Sequence, residues 1–525
     1  MKRILDITKA AAGLLFGGLI ISTLLLSCSE DALNEVNQDY DHPKSVESKY
    51  ILADVIVRTA TNNFAGDFNT YLSTYVEHEV GIDNQLWRAE VRQGEPTLAS
   101  AYNNVWSSLY ITLKDARIAI DQCSEGGRDE GNYITRGIAE VMAAYNSALI
   151  TDMFGDAPWS EAALINPNGT PLNMVPKMDK QEDIYKGIFA LLDAAIADLQ
   201  RTDAFAIGSY DFMYSGDRNK WIKFAYGLKA RYTMRLIGRA SNLNAELDKV
   251  LEYVSQSFAS VNDQASLDLY DANNLNPLFD FQWSRDGLAA SESMADKLIE
   301  REDPRLRRVF VDADWEQVED ADADNYFMAP NGQPEQLRYY YNTSVFVYSQ
   351  VAPTMYLSYH ELMFLKAEAL ARKGEIEYAE EALREAFLAA IDNCEVGVAA
   401  AEDAPSVNYY GGLYIFTDPI EADEAEEYFD NVVIPLFYEN PLKEIMIQKY
   451  LGFFGAAGES TETYNDIRRM KALGENFVEL RNTNPFPLRL PYGNSDTTTN
   501  PEVRNAYGTG QYVYAEPVWW AGGNR

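Results

Sequence analysis

Residues 358–392 read SYHELMFLKAEALARKGEIEYAEEALREAFLAAID, and this stretch decides the fold. Leu362, Leu365 and Ala369 recur at three- and four-residue steps and make one helical face. Gly374 supplies a left-handed stop. Beyond it Ile376, Ala379, Leu383, Ala386, Phe387 and Ala390 make the facing stripe of a second helix. Two helices joined this tightly form an antiparallel hairpin.

Working outward, the same periodicity appears between Tyr133 and Met153, where Ile138, Val141, Met142, Tyr145, Ala148 and Leu149 share a face, and Gly155 with Pro158 ends the pattern. A further helix is expected to open on Asp179 as N-cap, with Glu182 three residues later, and to carry Ile184, Ile188, Leu191, Ala195 and Leu199. A third stripe is Trp221, Phe224, Ala225, Leu228, Tyr232 and Leu236. The small residues Ala369, Gly374, Ala379 and Ala386 sit roughly where a tetratricopeptide unit needs close helix contact. The expected fold class is therefore mostly α, with tetratricopeptide-like stacked helix hairpins and a large irregular, loop-rich second region. That region comprises residues 76–96, 262–290, 322–354, 400–440 and 480–525, which lack helical period and are rich in Tyr, Trp, Asn, Gly and Pro. Loops of such length usually carry function, so they are expected to cover one face of the scaffold and hold the binding site.

Lys2, Arg3 and Lys9 precede an apolar run from Ala10 to Leu26 that ends in Leu25-Leu26-Ser27-Cys28, the layout of a signal peptide. Leu, apolar, small, Cys is similar to the bacterial lipobox, so residues 1–27 are expected to be removed and Cys28 to be lipidated. Two or more acyl chains would hold a soluble body on a membrane without spanning it. Ser29-Glu30-Asp31 resembles the surface-export signal of Bacteroidetes lipoproteins. Residues 28–48 then form a polar leash, and 49–525 a single domain.

The formal net charge of −36 argues against nucleic acid or an anionic membrane surface as partner, and it suits a neutral ligand. With Cys28 assigned to lipid, Cys123 and Cys394 remain, either bridged to one another or as buried free thiols.

Several stretches resemble the SusD/RagB family. Ala139–Ala163, AEVMAAYNSALITDMFGDAPWSEAA, looks like that family's helix ending in a D-x-[FW]-G-D-x-P-[YW]-x-E-A loop, and Asp303-Pro304-Arg305-Leu306 matches its D-P-R-L. Glu361–Gly374 matches its E-x-x-[FL]-L-x-A-E-A helix, and Gln448–Met470, QKYLGFFGAAGESTETYNDIRRM, its Q-K-[YW] helix and following D-x-R-R turn. The resemblance implies a surface lipoprotein of the outer membrane that binds extracellular oligosaccharide or oligopeptide. It further implies a partner, a SusC-like TonB-dependent transporter over which the protein acts as a lid.

For ligand capture the informative residues are aromatic. A sugar's C–H face lies against the π-face of Trp or Tyr, while hydroxyls bond to nearby amides and guanidinium groups. Trp106 and Trp221 fall on helical stripes and read as core, Trp159 belongs to the family's loop, and Trp519 and Trp520 close an apolar tail. The candidates are Trp87, beside Asn84, Gln85 and Arg88, and Trp283, beside Asn276, Gln282 and Arg285, each expected on a loop. Tyr339, Tyr340 and Tyr341 form a further candidate run. Enzymatic readings find no footing in the sequence: His78 and His360 have no metal-ligand partner at useful spacing, and no nucleophile elbow, P-loop or dinucleotide fingerprint occurs. Neither a catalytic role, a resident metal nor a cofactor is expected. Glu319–Asn325 starts like a calcium loop but has Asn325 where the turn needs Gly and Asn331 where a bidentate Glu should close it.

Overall fold

The computed structural model describes residues 46–94, 102–166 and 169–525. Cys28 and nearly all of the expected signal peptide and leash lie outside the described residues. Residues Ser48–Arg525 form one unit.

The scaffold is a series of long helices: α1 (Ser48–Arg58), α2 (Asn103–Cys123), α3 (Tyr133–Phe154), α4 (Gln181–Leu199), α5 (Arg218–Arg235), α6 (Leu243–Ser255), α7 (Tyr359–Lys373), α8 (Ile376–Glu402), α9 (Pro441–Gly452) and α10 (Ser460–Leu473). From α1 to α8 each packs on the next, so the hairpins form one continuous stack, and α9 closes on both α7 and α8. Among the described residues no helix is long and apolar enough to cross a membrane.

The α7–α8 hairpin shows why the sequence folds this way. Ser358 caps α7, its Oγ accepting from the Glu361 amide at 3.1 Å. Gly374 ends the helix at φ 81°, a conformation that would strain any residue with a Cβ. Ala379, Ala382 and Ala386 are fully buried on the facing helix, and α8 runs on to Glu402, ten residues past the quoted stretch, as an Ala-rich continuation.

The charged residues of the quoted motifs are turned inward, where they pair with one another or with arginines of α5. Arg231 of α5 grips Glu361 of α7 through Nε and Nη2 at 2.7 and 2.6 Å. Arg235 reaches Asp152 of α3 at 2.6 Å and also pairs with Glu462 of α10. Lys449 meets Asp466 at 2.7 Å, and Arg305 of the D-P-R-L turn holds Asp303 at 2.6 Å and Gln448 at 3.2 Å. Buried charges survive only when paired and hydrogen-bonded, so these residues lock the register between helices distant in sequence.

Two expectations need correction. Asp179 does not cap α4; it lies in a two-residue strand, Met178–Asp179, paired with Ala157–Pro158, where its carboxylate accepts from the Trp159 and Ser160 amides, and α4 begins at Gln181 behind Lys180. The irregular stretches are not free of helix: Asn84–Val91, Pro277–Arg285, Pro405–Tyr409, Ala422–Tyr428, Ile434–Glu439, Asn494–Thr499 and Pro501–Tyr507 all fall within them. Segments of five to nine residues span at most two and a half turns, too few for a 3.6-residue period to stand out in sequence. Of the two readings open for the cysteines, the structure shows the second: Cys123 on α2 and Cys394 on α8 are both free and buried.

Candidate functional site

Trp283 and Trp87 sit on short helices that the irregular region carries, rather than on loops. The Pro277–Arg285 helix is fixed at both ends. Asn276 is its N-cap, accepting from the Leu278 amide at 2.9 Å, and its Nδ2 donates to the carbonyls of Ala352 and Ala456. Gln282 exchanges hydrogen bonds with both backbone groups of Leu288 at 3.0 and 3.2 Å. Both amides are buried with their polar groups spent on backbone, which gives them a positioning role in this conformation. That clamp sets the rotation of the helix.

With the helix so oriented, Phe279 and Trp283, one turn apart, stack at 5.3 Å with planes 17° apart. Phe279 is buried and Trp283 half-buried. Trp315 lies beside Trp283 at 6.3 Å and 28°, and Tyr410 at 6.0 Å and 45°. Trp315 in turn packs edgewise on Tyr348 at 5.7 Å. The rim is open: Tyr409 is 82% and Tyr410 69% exposed, and their rings meet at right angles. The result is a shallow aromatic face with a buried base and a wet edge.

Strained backbone occurs in this face and in the segments near it. Asn84, Asp286, Trp315 and Tyr339 all adopt positive φ, at 46°, 47°, 66° and 59°. For a residue as bulky as Trp this conformation costs on the order of 1–3 kcal/mol and persists only when its surroundings enforce it. For Trp315 the enforcement is visible: its amide donates to Asp312 O at 3.1 Å and its carbonyl accepts from Tyr414 N at 2.9 Å.

The segment 334–341 ties the two tryptophan helices together. Trp87 donates its indole N–H to Pro334 O at 2.9 Å, Arg338 pairs with Asp83, and the Tyr339 hydroxyl donates to Asp286, the residue that ends the Trp283 helix. That carboxylate pushes the Tyr339 phenol up from its ordinary value. Tyr339 and Tyr340 are 71% and 53% exposed, whereas Tyr341 is buried and its hydroxyl accepts from the Glu335 amide at 3.2 Å. Among the described residues no ring contact joins Trp87 to the Trp283 stack. Asn84 and Arg88 are exposed beside Trp87, and Arg285 is exposed with its guanidinium 5.4 Å from the Phe281 ring.

Sequence reading missed Trp315, Tyr409 and Tyr410. Trp315 stands in an acidic context, DADWE, and Tyr409-Tyr410 in an undivided irregular stretch. The only signal was composition: an unassigned Trp and a Tyr pair flanked by glycines. Of the calcium-like loop, Asn331 is taken up by the Ser293 amide at 2.9 Å and Asn325 by Asp312 at 3.0 Å.

Residues 42–492 match the SusD-like family described as "Starch-binding associating with outer membrane". Among solved structures, a SusD/RagB family protein from Bacteroides thetaiotaomicron is 54% identical, with a TM-score of 0.87 over 92% of this chain and 100% of that one. A SusD homolog from Bacteroides fragilis, 18% identical, has a TM-score of 0.68 over 91% of this chain and 100% of that one. A chitin-binding SusD homolog from Flavobacterium johnsoniae, 16% identical, has a TM-score of 0.63 over 90% and 98%; the last two share the fold. No curated protein matches. With the family's motifs paired in the core and its profile covering most of the length, the chain belongs to the SusD/RagB family, the SusD-like nutrient-binding proteins of the outer membrane.

Proposed function

We propose that this chain captures an extracellular oligosaccharide on the Trp283–Trp315–Tyr410 face and delivers it to a SusC-like TonB-dependent outer-membrane transporter, over which it acts as a lid. A lipid on Cys28 holds it to the outer surface of the outer membrane. The observation that carries the reading is the ring stack itself: two nearly parallel indoles and an exposed Tyr, with their rim open to water. Apolar C–H faces of successive sugars lie on such rings, while Arg88, Asn84 and Tyr340 are exposed in the neighbouring region and offer polar groups for hydroxyls. The family's starch-binding description and the chitin-binding relative support a glycan over an oligopeptide. The strongly negative surface sets no barrier to a neutral chain. The role in this reading is binding without chemistry, as the family's binding description supports.

Calorimetry on the full-length protein with malto-oligosaccharides, chito-oligosaccharides and tryptic peptides tests this. Glycan binding is expected, weakened at least tenfold by Trp283→Ala and by Tyr410→Ala. Glycan affinity untouched in both variants overturns the assignment of the face, and binding of peptides alone moves the ligand class to oligopeptide. Co-purification of a TonB-dependent barrel from outer membranes is the expected result for the partner, and its absence counts against the lid role.

A further inference from the structure

On the side of the Pro277–Arg285 helix away from Phe279 and Trp283 lies a cavity of about 410 Å³, within the size range of small-molecule sites. Asp280, Phe281, Ser284 and Arg285 of that helix form one wall. The π-helical segment Thr59–Phe68 forms the second with Asn62 and Asp67, and the start of α2 the third with Asn104 and Ser108.

Two features set this cavity apart from an ordinary surface cleft. The first is its π-helical wall, a rare geometry that gathers at functional sites, broken at Gly66 by non-helical angles of φ −78° and ψ −124°. A Cβ there would lie 2.5 Å from the Thr61 carbonyl, so only glycine allows the bend that places Asp67. The second is Asp67 itself. Its carboxylate makes no hydrogen bond or ion pair among the described residues, and burial pushes it up to about 6 although the Arg285 charge pulls the other way. Arg285 likewise has no carboxylate within ion-pair distance and lies over the Phe281 ring. A half-buried carboxylate with no protein partner among the described residues leaves an acceptor open to an occupant of the cavity.

The lining also selects what that occupant is. A simple cation would meet Arg285, and a simple anion would meet Asp67 and Asp280. A neutral polyhydroxy ring satisfies all of them, because each hydroxyl donates to a carboxylate and accepts from a guanidinium or amide, while Phe281 receives an apolar face. We infer that this cavity is a second sugar subsite, separated from the aromatic face by the thickness of one helix, and that it takes a single neutral sugar ring at a chain end or branch. The inference rests on the glycan reading for the origin of that sugar, but its own evidence is the cavity.

Saturation-transfer NMR titrations of the full-length protein with glucose, N-acetylglucosamine and dialanine test it. Ser284→Trp fills the cavity from an exposed position, and Asp67→Ala removes the open acceptor. A monosaccharide is expected to bind the wild type, with the signal lost in Ser284→Trp and affinity lowered at least tenfold in Asp67→Ala. Should Asp67→Ala fail to fold, Ser284→Trp decides. Wild-type titration by Ser284→Trp, no monosaccharide binding by the wild type, or binding of dialanine in place of sugar each overturns the subsite. Trp283→Ala, titrated with oligosaccharide, separates the two proposals. Loss there with unaltered Ser284→Trp leaves the aromatic face and removes the cavity, and the converse removes the face and leaves the cavity.

Discussion

Glu368 and Arg469 are 101 positions apart in sequence and face each other in a two-pronged ion pair in the core, with Arg469 Nη2 donating to Glu368 Oε2 at 2.7 Å. Both side chains are almost fully buried. Burial alone would raise the Glu368 carboxyl, but Arg469 and Arg372 outweigh it and hold it well below the carboxylate range. Glu368→Gln leaves Arg469 without its main counter-charge, and breaking such a pair from one side costs about 3–5 kcal/mol. Urea unfolding at pH 7 should show an unfolding free energy lower by that amount. The paired replacement Glu368→Leu with Arg469→Leu should lose less than the single variant, and an equal loss would deny the pair its special status.

Gly187 and Trp159 explain why the family's G-D-x-P-W loop closes where it does. A Cβ on Gly187 of α4 would meet the Trp159 ring at 2.1 Å, and the indole is further held by its N–H to Ser147 Oγ at 2.8 Å. Gly187→Ala should therefore displace the ring and lower stability by about 1–3 kcal/mol, the usual cost of overpacking. Quenching of Trp fluorescence by iodide should rise in step, and wild-type stability with wild-type quenching would show that the helix yields instead.

Glu79 gives stability a readable pH dependence. It is buried beside Ser344, and desolvation pushes its carboxyl up to about 8 from an ordinary 4.5. Between those values the folded chain holds a proton that the unfolded chain has released. Stability therefore falls as pH rises from 4.5 to 8. Glu79→Gln should match the wild type at pH 4.5 and exceed it at pH 9 by on the order of 4 kcal/mol, since one pKa unit is worth about 1.4 kcal/mol. Urea titrations at both pH values check this, and a constant difference between them would mean that Glu79 titrates normally.

Trp87 acts on the 334–341 segment through one hydrogen bond. Trp87→Phe keeps a ring and removes the donor to Pro334 O, which should cost about 1 kcal/mol. Hydrogen exchange at residues 335–341 should speed up while the scaffold helices keep their protection. Unaltered exchange there would place the segment under the control of Arg338–Asp83 and Tyr339–Asp286 alone.

The stacked hairpins were legible because the α7 and α8 stripes repeat over enough turns to reveal a 3.6-residue period, and because Gly374 marks the turn between them. The four family motifs were legible for a related reason. Their charges meet in the core, where desolvation allows few alternatives to the observed pairs. The cap of α4 was misread because Asp179 offers the right side chain at nearly the right place, and only the pairing with Ala157–Pro158 shows that its carboxylate serves Trp159 and Ser160.

The candidate site was legible only in part. Trp283 could be picked out as an unassigned aromatic, but Trp315, 32 positions later, and Tyr410, 127 positions later, reach it across separate segments, so no local pattern announces them. Asn276 and Gln282 looked like ligand-facing amides and instead fix the helix that carries Trp283. Periodicity, caps and charged motifs are short-range properties of a chain, and they determined the helical body. The aromatic face and the cavity behind it are made by residues that meet only after the hairpins have stacked, because ring stacking and desolvation depend on neighbours in space.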